Sequence, residues 1–174
     1  MPTERENAIT FRGNPATLIG SEIKVGQKAP DFTGVGTGMA PAGLKDFQDK
    51  VKVLLTVPSL DTPTCSTETQ KFSQMASQLP DDVKVLVASM DLPFAQTRWC
   101  GAQGVENVAT ISDFRDRQIG ESYGVQIKGL GLLSRAVFVI DKENTVQYAE
   151  YVPEVSEEPN YEAAQAAIEK LSKK

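Results

Sequence analysis

Apolar residues in this chain fall into short runs separated by polar, turn-forming stretches, and their period changes from run to run. VKVLLTV at 51–57 and VKVLVAS at 83–89 are branched and almost continuously apolar, the pattern of strands buried on both faces. Between them, over 63–79, the period lengthens, and Phe72, Met75, Ala76 and Leu79 recur on one helical face. VATIS (108–112) predicts a third strand. RAVFVID (135–141) and TVQYAEYV (145–152) predict two more around a turn at Asp141–Asn144. Short helices are expected near 93–101 and 115–123. YEAAQAAIEKLSKK (161–174) reads as an amphipathic helix with lysines at its end, where the helix dipole favours cations.

Upstream, AITFRGNPATLIGSEI carries two alternating stretches around Gly13-Asn14-Pro15, which predicts a β-hairpin. GQKAPDF (26–32) is a loop leading into the glycine-rich FTGVGTGMAPAG. Strand, helix, strand, helix, then a hairpin and a last helix make an α/β protein: a mixed central sheet flanked by helices. A thioredoxin-like fold with an N-terminal β-hairpin fits this order, as one domain over 1–174.

Composition narrows the function. The net charge of −5 argues against nucleic acid or an anionic membrane surface as partner. Residues 141–174 hold eight acids against four lysines, so most of the excess is a solvated acidic face near the C-terminus. MPTERENAITF lacks the apolar centre of a secretory signal, and no run approaches the ~20 apolar residues of a membrane span. A cytoplasmic protein is therefore expected, in a compartment where disulfides tend to be transient and catalytic. The chain has no histidine, which excludes Ser-His-Asp and Cys-His catalysis and His-containing zinc sites. Two cysteines make a poor metal cage.

The stretch VPSLDTPTCSTETQKF (57–72) concentrates the chemistry. Thr62 suits a helix N-cap and Pro63 the first helical position, which puts Cys65 at the third, facing backbone N–H groups and the positive end of the dipole. Bringing a free thiol from a pKa near ~8.5 to ~6 takes roughly 3.4 kcal/mol of preference for the thiolate. A helix terminus supplies at most ~2 kcal/mol. A fixed cation must add the rest, and without histidine it is a lysine or an arginine. Arg135, which opens the apolar strand AVFVI, ranks ahead of Arg5, Arg12, Arg98, Arg115 and Arg117, which read as tail, turn or helix surface. The competing reading is an inert buried thiol.

Pro58, Thr62 and Cys65 together spell P-x-x-x-T-x-x-C. With SMDLPFAQTRWCG (89–101), SRAVFVID (134–141), GQKAPDF and EPNYEAA, the chain resembles the peroxiredoxins, and within them the atypical two-cysteine thiol peroxidases. That resemblance implies cofactor-free reduction of hydrogen peroxide and alkyl hydroperoxides. It makes Cys65 the peroxidatic cysteine and Cys100 the resolving one, joined in a disulfide during turnover. It gives Thr62 and Arg135 the thiolate and the peroxide oxygens to bind, and Pro58 the task of shielding the site. It further implies a homodimer recharged by thioredoxin. Since bonded cysteines need Cα atoms within ~7 Å, helix 93–101 is expected to unwind partly in each cycle.

One departure from the family concerns Glu68-Thr69-Gln70, where members often carry a more basic stretch; Glu68 is expected to point to solvent. Trp99, Tyr123, Met39 and Met90 read as packing residues. Leu92 and Phe94 read as core, or alternatively as an apolar collar for alkyl hydroperoxides. Two other functions stay open: a disulfide reductase, disfavoured because no C-x-x-C is present, and a redox sensor whose Cys65–Cys100 bond alters partner binding.

Overall fold

A computed structural model describes residues 3–105 and 107–172. The chain opens with a hairpin, β1 (Glu4–Phe11) and β2 (Asn14–Ile19). It turns at Arg12–Gly13 rather than at Gly13-Asn14-Pro15, because both turn residues take positive φ (52° and 82°), as a tight hairpin of this hand requires. Short strands β3 (Gly34–Val35) and β4 (Pro41–Ala42) follow within the glycine-rich stretch. Then come β5 (Val51–Thr56), α1 (Pro63–Ser77), β6 (Val83–Ser89), α2 (Pro93–Gln103) and β7 (Val108–Ser112). The expected helix at 115–123 is shorter, α3 at Gln118–Ser122. Two-residue strands β8 (Gln126–Ile127) and β9 (Leu132–Leu133) precede β10 (Ala136–Ile140), β11 (Val146–Tyr151) and α4 (Tyr161–Ser172). The end expected for that last helix, 173–174, lies outside the described residues.

The main sheet runs β11-β10-β5-β6-β7-β3-β4, with β5, β6 and β7 parallel and the flanking strands antiparallel. The mixed sheet of the sequence reading is present, and every residue of β5 and β10 is buried. Alternation divides the core in two. Val53, Leu55, Val85, Val87, Val137 and Val139 face α1, α2 and α4, packing on Phe72, Trp99 and Ile168. Leu54, Leu86, Phe138 and Ile140 face the other way, onto Phe32, Leu44, Ile119 and Tyr123. Truncating one such leucine to alanine costs about 2–5 kcal/mol. The hairpin forms a second sheet, β1-β2-β8-β9, against the edge of this body.

Two features of this frame set up the site. First, β10 pairs antiparallel with β5, with Ala136 opposite Thr56, so Arg135 lies beside the end of β5 from which the Cys65 segment departs. Second, α1 and α2 both begin at the C-terminal ends of parallel strands, where open α/β sheets gather their chemistry. Among the described residues no helix is long and apolar enough to cross a membrane.

Candidate active site

After β5 the chain passes through buried Pro58 and turns at Ser59–Asp61. Thr62 then caps α1 with extended backbone angles (φ −89°, ψ 147°), and Pro63 occupies the first turn. The Thr62 hydroxyl accepts from the Cys65 N–H at 3.3 Å and donates to the Ser59 carbonyl at 3.0 Å. The capping grammar read from the sequence is thus realised, and Cys65 sits in the first turn, fully buried. Its own N–H is spent on Thr62. Its carbonyl accepts from Thr69 Oγ1 at 2.8 Å, which ties down the next turn.

Arg135 reaches this point from the neighbouring strand and is 2% exposed. Its guanidinium faces three groups: Nε donates to the Val155 carbonyl at 2.8 Å, Nη1 donates to Glu68 Oε2 at 2.7 Å, and Cys65 lies within reach of its charge. Burial alone would pull its pKa down, but the neighbouring Glu68 and Cys65 more than offset this and hold it above the ordinary value. Arg98, by contrast, pairs with Asp61 on the surface, and Arg115 with Asp116. Arg5 is not tail: it lies in β1, donates to the Gly20 and Gly124 carbonyls, and covers the ring of Tyr151.

Glu68 corrects the sequence reading. It does not point to solvent; it is completely buried. Positions 65, 68, 69 and 72 share one face of α1 by the i, i+3, i+4 rule, and all four are buried. Counting back one turn from Phe72 leads to Glu68. Burial pushes its carboxyl up to about 7, against the charge and hydrogen bond of Arg135, which favour the carboxylate. One oxygen, Oε2, has Arg135; the other, Oε1, has no hydrogen-bond partner among the described residues.

Cys100 is seven residues beyond Pro93, about 10 Å along the helix from its first residue. Both cysteines are free. Cys100 is half-buried, and burial pushes its thiol up. Its carbonyl accepts from the N–H groups of Gly104, at φ +68°, and Val105, the left-handed turn that ends the helix. The start of α2 is tied more firmly. Gln96 Nε2 donates to Ser89 Oγ and to the Ile111 carbonyl. Just ahead of the helix, Asp91 accepts from Ser59 Oγ (2.7 Å), the Leu60 N–H (2.8 Å) and Ser89 Oγ (2.8 Å). Asp91 therefore joins the entrance of α2 to the turn that carries Thr62, a link the sequence did not announce.

Trp99 and Tyr123 are packed as expected. Leu92 and Phe94 are not core: at 50% and 68% exposed they lie on the outside of the first turn of α2, where the helix face toward the sheet is taken by Pro93 and Gln96. Met39 is likewise exposed, at 40%.

A buried thiol at a helix start, beside a buried arginine that leads into the adjacent strand of a thioredoxin-like sheet, marks a redoxin-type centre. Comparison with known proteins agrees: the sequence profile of the Redoxin family matches residues 24–164. A thiol peroxidase of Clostridium acetobutylicum is 52% identical over 163 residues, covering 91% of this chain and 98% of its own. One of Bacillus subtilis is 48% identical over 165 residues, covering 95% and 98%. A crystal structure of a peroxiredoxin-like protein from Aquifex aeolicus superposes with a TM-score of 0.88 at 45% identity, covering 95% of this chain and 97% of that one. The chain belongs to the thiol peroxidase family.

Proposed function

We propose that this protein reduces hydrogen peroxide and alkyl hydroperoxides in the cytoplasm, with Cys65 as the peroxidatic thiol, Cys100 as the resolving thiol and thioredoxin as the reductant. The observation that carries this reading is the placing of Cys65: a thiol wholly removed from water in the first turn of a helix, within reach of the charge of the buried Arg135.

In the first step the Cys65 thiolate attacks one peroxide oxygen and the O–O bond breaks. The sulfur becomes a sulfenic acid, and the other oxygen leaves as water or an alcohol once protonated. Negative charge grows on that leaving oxygen. Arg135 donors beside the sulfur stabilise it, and so does the Thr62 hydroxyl once its proton turns from the Ser59 carbonyl to the substrate. Pro58, buried behind the turn, keeps water from the site. In the second step the Cys100 thiol displaces the sulfenic hydroxyl as water, forming the Cys65–Cys100 disulfide before further oxidation. Two thiols of thioredoxin then reduce that bond and are themselves oxidised to a disulfide. The protein works as a homodimer.

NADPH consumption coupled through thioredoxin reductase and thioredoxin tests the whole cycle. Turnover is expected with hydrogen peroxide and none with Cys65→Ser. Cys100→Ser is expected to consume one equivalent and stop as a sulfenic acid. Wild-type turnover by Cys100→Ser would remove Cys100 from the mechanism. Sedimentation at micromolar concentration tests the dimer.

A further inference from the structure

Arg135 is aimed by a backbone carbonyl, and that carbonyl belongs to a segment pinned by the N-terminal hairpin. Between β11 and α4 the chain passes along β1. There Thr10 N–H donates to the Pro153 carbonyl (2.7 Å) and Val155 N–H to the Thr10 carbonyl (2.9 Å). Glu154 completes the join. Its Oε1 accepts from Thr10 Oγ1 (2.9 Å) and the Gly13 N–H (2.7 Å), and its Oε2 from the Ser156 N–H (2.7 Å) and Ser156 Oγ (2.5 Å). These donors hold the Glu154 carboxyl down to about 2.

The two residues that follow both touch the active site. The Val155 carbonyl accepts from Arg135 Nε at 2.8 Å in a buried position. The Ser156 carbonyl accepts from Thr64 Oγ1 at 3.1 Å, one residue before Cys65. We infer that Glu154 is a positioning residue for the peroxidase reaction: by clamping the hairpin to segment 153–156 it sets the Val155 carbonyl, and through it the direction of the Arg135 fork. This rests on Arg135 acting on Cys65 and the peroxide, as proposed above. A guanidinium is planar and rigid, so the bond at Nε fixes where both terminal nitrogens lie. Misplacing a catalytic group by about 1 Å can cost about a hundredfold in rate. The Thr10 backbone bonds remain when the carboxylate is removed, so a partial loss of about five- to tenfold is expected.

The test measures single-turnover oxidation of Cys65 by hydrogen peroxide in the full-length protein, quenched by alkylation and read by mass spectrometry. The variants are Glu154→Ala, Glu154→Gln, Arg135→Lys, and Arg135→Lys combined with Glu154→Ala. Lysine keeps the positive charge but lacks the Nε–H that meets Val155. Glu154→Ala is expected to slow the wild-type protein about five- to tenfold, Glu154→Gln less, and Glu154→Ala to change nothing in the Arg135→Lys background. An unchanged rate in Glu154→Ala alone, or the same fold-loss in both backgrounds, overturns the inference, because a general loosening of the fold acts whatever stands at 135. Arg135→Lys reacting as fast as wild type overturns the role given to Arg135 itself.

Discussion

Glu68 Oε2 and Arg135 Nη1 meet at 2.7 Å with side chains 0% and 2% exposed. A buried pair of this kind is not by itself a source of stability, because each charge has been stripped of water to make it. Its effect is to divide one cation between a carboxylate and a thiol. The acid and Cys65 lie beside the same guanidinium, and the acid would repel the negative charge that the proposed reaction requires of Cys65.

Removing that competition should speed the thiol. Glu68→Gln keeps the size of the side chain and an oxygen for Nη1 while deleting the charge. Alkylation of Cys65 by iodoacetamide at pH 7.5 is expected to rise about three- to tenfold, given a buried charge within one helical turn. An unchanged rate would mean that the carboxylate does not act on the sulfur.

Glu68 also ties stability to pH, with a definite sign. Its carboxyl is raised from 4.5 to about 7 in the folded protein, so between those values the folded state binds a proton that the unfolded chain has released. Stability therefore falls as pH rises through this window, by an amount on the order of a few kcal/mol. Urea unfolding from pH 5 to 8 should show wild type losing ground steadily to Glu68→Gln; parallel curves would refute the assignment.

α2 should open from its C-terminal half. Gln96 holds the first half to β6 and β7, whereas Cys100 is followed within a few residues by the left-handed turn at Gly104. Hydrogen exchange in the disulfide form is expected to quicken over 97–104 relative to the reduced form, with 93–96 less affected. Equal protection of the whole helix in both forms would mean that Cys100 reaches Cys65 by another movement. Trp99, next to Cys100 and buried, should report the same event by fluorescence.

Thr62 caps α1, and two substitutions separate that role from the chemical one proposed for it. Thr62→Val removes the acceptor for the Cys65 N–H and should cost about 1 kcal/mol in urea unfolding. Thr62→Ser keeps the hydroxyl and should restore both stability and peroxide reduction. If serine restored the first without the second, the methyl group too would matter to the reaction.

Much of this arrangement was legible in the chain. Branched apolar runs give β5, β6, β7 and β10 away because strands covered on both faces carry few polar positions. Thr62-Pro63 announced the helix start, and so the place of Cys65. The pairs β3–β4 and β8–β9 were not visible, since two residues cannot show a period. Glu68 was misread because acids on helices usually face water, and only its distance from Phe72 said otherwise. The ties from Arg135 to Glu68 and Val155 span 67 and 20 residues; nothing local encodes them.

The placing of Ala136 opposite Thr56 has a consequence for how the protein is made. A chain emerging from the ribosome as far as residue 134 already holds the sulfur, yet the guanidinium has not been synthesised. With the roles proposed for Cys65 and Arg135, reactivity toward oxidants is expected to arise only when the antiparallel strand pairs with its neighbour, so that the sulfur of the half-built polypeptide stays idle until then.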